Sequence, residues 1–310
     1  MRLPSVARFR QHVFLVAVNA VVLPMIACFL GFVCKRSRSP WLRKRIGVWL
    51  NRMLGEHFSE LVEPPDSQSP AAVAHTFSNV TILGCMRYAI HGPEDDLFEQ
   101  NITVTIVRTA DAVIVYNPIP LSKAQMREHL PDAAHYWIVL PSRYHHLYVD
   151  PYLDFLPPER VTVVGSVQAG LRHNPPLSVR HGSALNVPGV QVLETSILME
   201  EYNLVVPLHE GGSLLLVGHL FQCGSMAFGR FRRRHWALRA LESVLEYLDD
   251  FDAGGCLDLF FWAHLTDAND SEESIEALRA LEGVRGVVCS HGGLCATEPK
   301  ELLAKQLAWV

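Results

Sequence analysis

The chain has no Cys-x-x-Cys pair, and its seven cysteines are odd in number. That argues against a disulfide framework and suits a reducing compartment. Internal repeats are also missing, which sets aside solenoid and propeller architectures. Carboxylates are missing from residues 1–52, which hold ten of the 27 Lys and Arg residues. The rest of the chain therefore carries 17 basic against 32 acidic side chains. A body that acidic is a poor general binder of nucleic-acid backbones, whose affinity comes from neutralised phosphates. No nucleic-acid partner is expected.

What the chain does have is length and apolar content. Its 310 residues are 49% hydrophobic, enough for a substantial core. Residues 13–34 run without a charge, and a helix of that length spans a hydrocarbon core of roughly 30 Å. Basic residues flank the run, with the heavier cluster on its C-terminal side, so the positive-inside rule expects a single-pass anchor with a cytosolic main domain. A mitochondrial membrane is the alternative, because the acid-free, Arg-bearing start also fits a presequence. Membrane lipid is then an expected partner. Ile46, Trp49, Leu50, Met53, Leu54, Phe58 and Leu61 have helical spacing, either along the headgroups or against the domain. The organisation read from the chain is an anchor and juxtamembrane helix over 1–62, a linker over 63–74 and one domain over 75–310.

Short β-rich runs are expected at 80–83, 102–107, 112–116, 136–140, 161–164, 190–193, 204–208, 213–217, 257–261 and 286–289. Helices are expected at 122–130 with Ser122 as N-cap, at 150–157, at 233–251 and at 273–281. Gly211 and Gly212 join two of the strands as a hairpin. Strands with hairpins first, then interleaved helices, give a layered α/β (α+β) fold class. Four arginines, Arg230 and Arg232 to Arg234, stand at the start of the helix at 233–251, either as a solvated face or as a contact for anionic lipid or an anionic substrate.

The chemistry centres on residues 138–150. A buried-strand pattern ends at Pro141, and His145 and His146 follow at once in a loop. The plain reading is a pair that caps a turn. The matching stretches 115–121, 138–147, 209–221 and 287–293, in that order, resemble the metallo-β-lactamase superfamily, and more narrowly its branch called domain of unknown function 4336. The resemblance covers roughly residues 75–300 and implies an αββα sandwich.

The superfamily's signature is His-x-His-x-Asp-His after a strand, then a histidine, a bridging Asp after Gly, and a last His. Laid over this chain, the first two histidines fall on Pro141 and Arg143, so one metal position is dismantled. The second keeps a metal-competent side chain throughout, as His145, His146, His219 and His291. The resemblance thus implies one divalent ion on these four imidazoles, with zinc, iron, nickel or copper open. Asp150, Glu194 and His209 are candidates to support the ligands, with His264 ranked below His209. A metal-dependent hydrolase of a small-molecule substrate is the implied activity. The alternative is a catalytically inactive binding scaffold tethered to a membrane, since no carboxylate stands beside the histidine pair in the sequence.

Overall fold

The computed structural model describes residues 61–62, 71–91, 96–196, 200–218, 230–231, 276–295 and 299–307. The expected anchor at 13–34, nearly all of the juxtamembrane helix and residues 63–70 of the linker lie outside them. So do the helix at 233–251, the strand at 257–261, His219 and His264. Among the described residues no helix is long and apolar enough to cross a membrane.

The strands are β1 (Leu61–Val62), β2 (Ala72–Thr76), β3 (Val80–His91), β4 (Asp96–Arg108), β5 (Ala112–Tyr116), β6 (His135–Leu140), β7 (Val161–Gly165) and β8 (Arg180–His181). They continue with β9 (Gln191–Ser196), β10 (Glu201–Pro207), β11 (Ser213–Val217), β12 (Arg230–Phe231), β13 (Val284–Cys289) and β14 (Gly293–Cys295). The helices used below are α1 (Lys123–His129), α2 (Asp150–Leu153), α3 (Val167–Arg172) and α4 (Pro299–Leu307). Among the described residues the strands form two sheets. One has the order β1-β3-β4-β5-β6-β7-β8, with β2 also on β3 and β12 on β4; the other runs β14-β13-β11-β10-β9.

Side-chain alternation explains the layering. In β5, Val113 and Val115 face one way while Ile114 and Tyr116 face the other, and all four are buried. A strand buried on both faces needs cover on both faces. Val113 and Val115 pack with Met126, Tyr152 and Ala169 from α1, α2 and α3. Ile114 and Tyr116 pack against Leu204, Leu214 and Leu216 of the second sheet. On that sheet's outer face Leu215, Val217 and Val287 are equally buried, and α4 lies against β13. Each such side chain removed from water contributes roughly 1.5–3 kcal/mol. The result is a helix, sheet, sheet, helix order of layers.

Several boundaries differ from the sequence reading. β3 and β4 form one long antiparallel hairpin, from Val80↔Val107 to His91↔Asp96. Its outer part carries polar residues such as Arg87 and Gln100, so no continuous apolar run marks it. Leu61 and Val62 pair with β3 as strand instead of ending a helix. β2 begins at Ala72, within the stretch read as linker. Arg230 and Phe231 pair with Glu99 and Phe98 as strand, so the first of the four arginines is part of a sheet. The helix expected over 150–157 stops after Leu153, ahead of Pro157. Asn79, an N-x-Thr match, is buried.

Candidate functional site

β5, β6 and β7 run parallel, as do β11 and β13. The C-terminal ends of β5, β6, β11 and β13 meet at one end of the sandwich, where open α/β sheets place their chemistry. Asn117 follows β5, the turn Ser142–His146 follows β6, Gly218 follows β11, and Ser290 and His291 follow β13.

Asn117 ties this end together. Its φ is 57°, a left-handed conformation that asparagine tolerates better than most residues. Its backbone N–H donates to the Val139 carbonyl at 3.0 Å. Its side-chain amide donates to the Thr103 carbonyl in β4 at 2.6 Å and to the Ser290 carbonyl just after β13 at 3.4 Å. Ser290 in turn donates its N–H to the Val217 carbonyl at 2.9 Å. With the amide nitrogen so committed, the Asn117 Oδ1 is an acceptor, and it meets His145 Nδ1. His145 therefore carries its proton on Nδ1 and keeps the Nε2 lone pair.

The His145 and His291 rings lie 5.2 Å apart between centroids. Burial, then the charges of His291, Arg87 and His146, hold His145 well below the usual histidine range. His291 is pushed down to about 4, by burial first and then by the Arg87 guanidinium, against a hydrogen bond to the Asn101 carbonyl. Both rings are thus neutral at pH 7. Each gives its one N–H to an oxygen. That is the state in which imidazole binds a metal ion.

The other candidates are placed as follows. His146 sits in the same turn, but its ring meets His173 edge-on at 6.0 Å. Burial, then the charges of His173, Arg172 and Arg87, bring it down to about 4. Asp150 lies 3.3 Å from His173 Nε2, so it supports His173 instead of a member of the expected set. Glu194 lies 3.7 Å from His181 Nε2, toward the β8–β9 edge. His209 stands at the opposite end of the sandwich, because β10 runs away from the site and its far turn is held by Asn79. Neither Glu194 nor His209 supports the His145–His291 pair. Among the described residues no group of three His, Cys, Asp or Glu side chains is arranged to hold an ion.

Three residues escaped the sequence reading. His173 looked like any core histidine, yet it links Asp150 to His146. Asn117 was legible only as the end of a strand. Glu201 follows another glutamate and reads as solvated, but it is fully buried. Its Oε1 lies 3.3 Å from where a Cβ on Gly218 would sit, so Gly218 leaves room for this carboxylate. The signal was the alternation of β10, which places Glu201 and Asn203 on one face. Asn203 Oδ1 accepts from the Gly218 N–H at 3.2 Å, and its amide reaches Thr195 Oγ1 at 2.6 Å. Tyr202 N–H donates to the Pro141 carbonyl at 2.9 Å, which joins β10 to the start of the histidine turn.

The Arg143 and Arg172 guanidiniums stand 4.9 and 5.3 Å from the Tyr144 ring centroid. Arg143 also donates to the Tyr144 hydroxyl at 2.8 Å. Arg143, which the sequence resemblance lays over a ligand histidine, is thus a guanidinium stacked on Tyr144, and a guanidinium cannot ligate a metal.

No protein-family model and no curated protein matches the chain. In solved structures it is similar to the metallo-β-lactamase FIM-1 from Pseudomonas aeruginosa in its mono-zinc form. That match has 13% identity over 78% of this chain and 96% of the other, with a TM-score of 0.42. It is similar to the metallo-β-lactamase DIM-1 exposed to ceftazidime, at 10% identity over 78% and 96%, with a TM-score of 0.40. A flavo di-iron protein variant from Thermotoga maritima matches at 12% identity over 77% of this chain but 60% of that one, with a TM-score of 0.44. Metallo-β-lactamases and flavo di-iron proteins are thus among the solved structures that the chain resembles, at identities of 10–13%.

Proposed function

We propose that this chain is a divergent metallo-β-lactamase-like domain, tethered to a membrane through residues 13–34, that works as a metal-dependent hydrolase with a single reduced metal site. One observation carries the reading. Two neutral imidazoles from remote segments, His145 and His291, stand 5.2 Å apart, each turned by an oxygen that takes its N–H.

The donor set fits an ion in part. Two imidazoles in this state are suitable ligands, but an ion held by protein needs about three. The reading assigns the third to His219, which directly follows Gly218, a residue anchored at this end by Asn203. His146 stands in the same turn, with its ring against His173. A divalent ion there would supply Lewis-acid polarisation of a scissile carbonyl or phosphoryl group. The chain's own contribution is orientation: Asn117 fixes the His145 tautomer and joins its turn to both sheets. Glu201 places a carboxylate beside Gly218, at the strand end that leads into His219.

A second reading, an inactive binding scaffold, is favoured by the stacked Arg143 and by the lack of a third donor among the described residues. The two separate in an activity screen of the zinc- or iron-loaded chain against ester, thioester and phosphodiester substrates. Turnover that needs added metal and is lost in His291→Ala supports the hydrolase. A metal-bound chain without turnover on any of the three supports the scaffold.

A further inference from the structure

At the end of the sandwich away from the histidines, the two sheets part around a cavity of about 520 Å³. That lies within the range of small-molecule sites, about 300–1,000 Å³. Its apolar walls include Trp137 from β6, Val206 from β10 and Val187 from the loop ahead of β9. The His135 ring also lines it and packs on Trp137, with centroids 4.7 Å apart and planes tilted by 60°. This wall therefore presents aromatic surface, which favours a flat ring as its partner.

The charged groups are few and mostly of one sign. The lining carries two guanidiniums, Arg108 and Arg180, against one carboxylate, Asp111. Arg108 donates to the Ser78 carbonyl at 3.4 Å, a neutral partner. His135 Nε2 meets Thr162 Oγ1 at 3.0 Å. Burial and then the Arg180 charge lower the pKa of His135, so the Arg180 field reaches the ring on the wall. A neutral His135 leaves the two guanidiniums as the positive charges facing the space.

We propose that this cavity is a binding site for a small aromatic carboxylate, its ring against Trp137 and His135 and its carboxylate against Arg180 and Arg108. Charge balance selects a single negative charge, because two guanidiniums face one carboxylate. The planar fork of arginine matches a carboxylate in two parallel hydrogen bonds. The site is separate from the histidine cluster and needs no metal.

The test is calorimetric titration of the full-length chain with 2-naphthoate and with its neutral analogue 2-naphthamide, each with and without chelator. Saturable binding of the acid at one site per chain is expected, indifferent to chelator. Arg180 is exposed, so Arg180→Ala should fold, and it should weaken the acid about tenfold while leaving the amide unchanged. Ala134 is an exposed residue of the lining, and Ala134→Trp should remove binding of both by filling the space. Equal affinity for acid and amide overturns the proposal. So does undiminished binding in both variants, absence of binding in the wild type, or loss of binding on His291→Ala.

Discussion

Asn117 is the residue on which most of the candidate site turns. Replacing it with alanine removes buried hydrogen bonds to two carbonyls and to His145, and puts a Cβ without local compensation at φ 57°. A stability loss of about 2–4 kcal/mol is expected in urea unfolding. Asn117→Gly should lose about 1 kcal/mol less, since glycine accepts the backbone conformation. Both variants should weaken metal binding, by roughly 10–100-fold, through loss of the His145 tautomer. A second expectation concerns acid. His291 and His146 titrate near 4 in the folded chain against 6.5 unfolded, so between those values the unfolded chain binds more protons. Stability of the chelator-treated chain should therefore fall as pH drops from 6.5 to about 4 and level off below. The buried His291 contributes on the order of 1–3 kcal/mol to that fall. His291→Gln should flatten part of the slope, and equal urea midpoints at pH 7 and pH 4.5 in the wild type would contradict it. His145 and His291 were legible in the sequence because each follows a strong strand pattern at once. Asn117, His173 and Glu201 were not, since their roles arise from partners as distant as Ser290, Asp150 and Gly218.

At the scale of elements, local signals read well and non-local ones did not. Ser122 and Gln125 form a capping box on α1, with the Gln125 N–H donating to Ser122 Oγ at 3.2 Å. Four adjacent residues encode it, so it shows in the sequence. Ser122→Ala should cost about 1 kcal/mol, measured by thermal unfolding. Gly165 ends β7 at φ +121°, and an added Cβ would sit 2.1 Å from the Leu140 carbonyl oxygen. That carbonyl accepts from the Ser166 N–H, just ahead of the histidine turn. Gly165→Ala should therefore cost roughly 3 kcal/mol or more, and should disturb the His145 environment by NMR. The outer half of the β3–β4 hairpin was hidden because polar residues such as Arg87, Glu99 and Gln100 interrupt its apolar ones, and β8 and β12 because two-residue strands carry no period. The layered class survived these misses, since it rests on β5, β6 and β11, whose apolar runs are unbroken.

For the molecule as a whole, one scaffold offers two separate places for chemistry. The histidine pair sits where the carboxyl ends of the central strands meet, and the aromatic cavity opens at the other end. The proposed tether belongs to this scale as well: removing residues 1–60, which spares β1, should move the chain from the membrane fraction to the supernatant, and an unchanged distribution would reject the anchor. The most direct measurement is the metal content of the full-length chain beside its His145→Ala and His291→Ala variants, by elemental analysis after exchange into metal-free buffer. The account predicts about one divalent ion per wild-type chain and its loss from both folded variants. A wild-type chain without metal, or variants that keep a full complement, would contradict it.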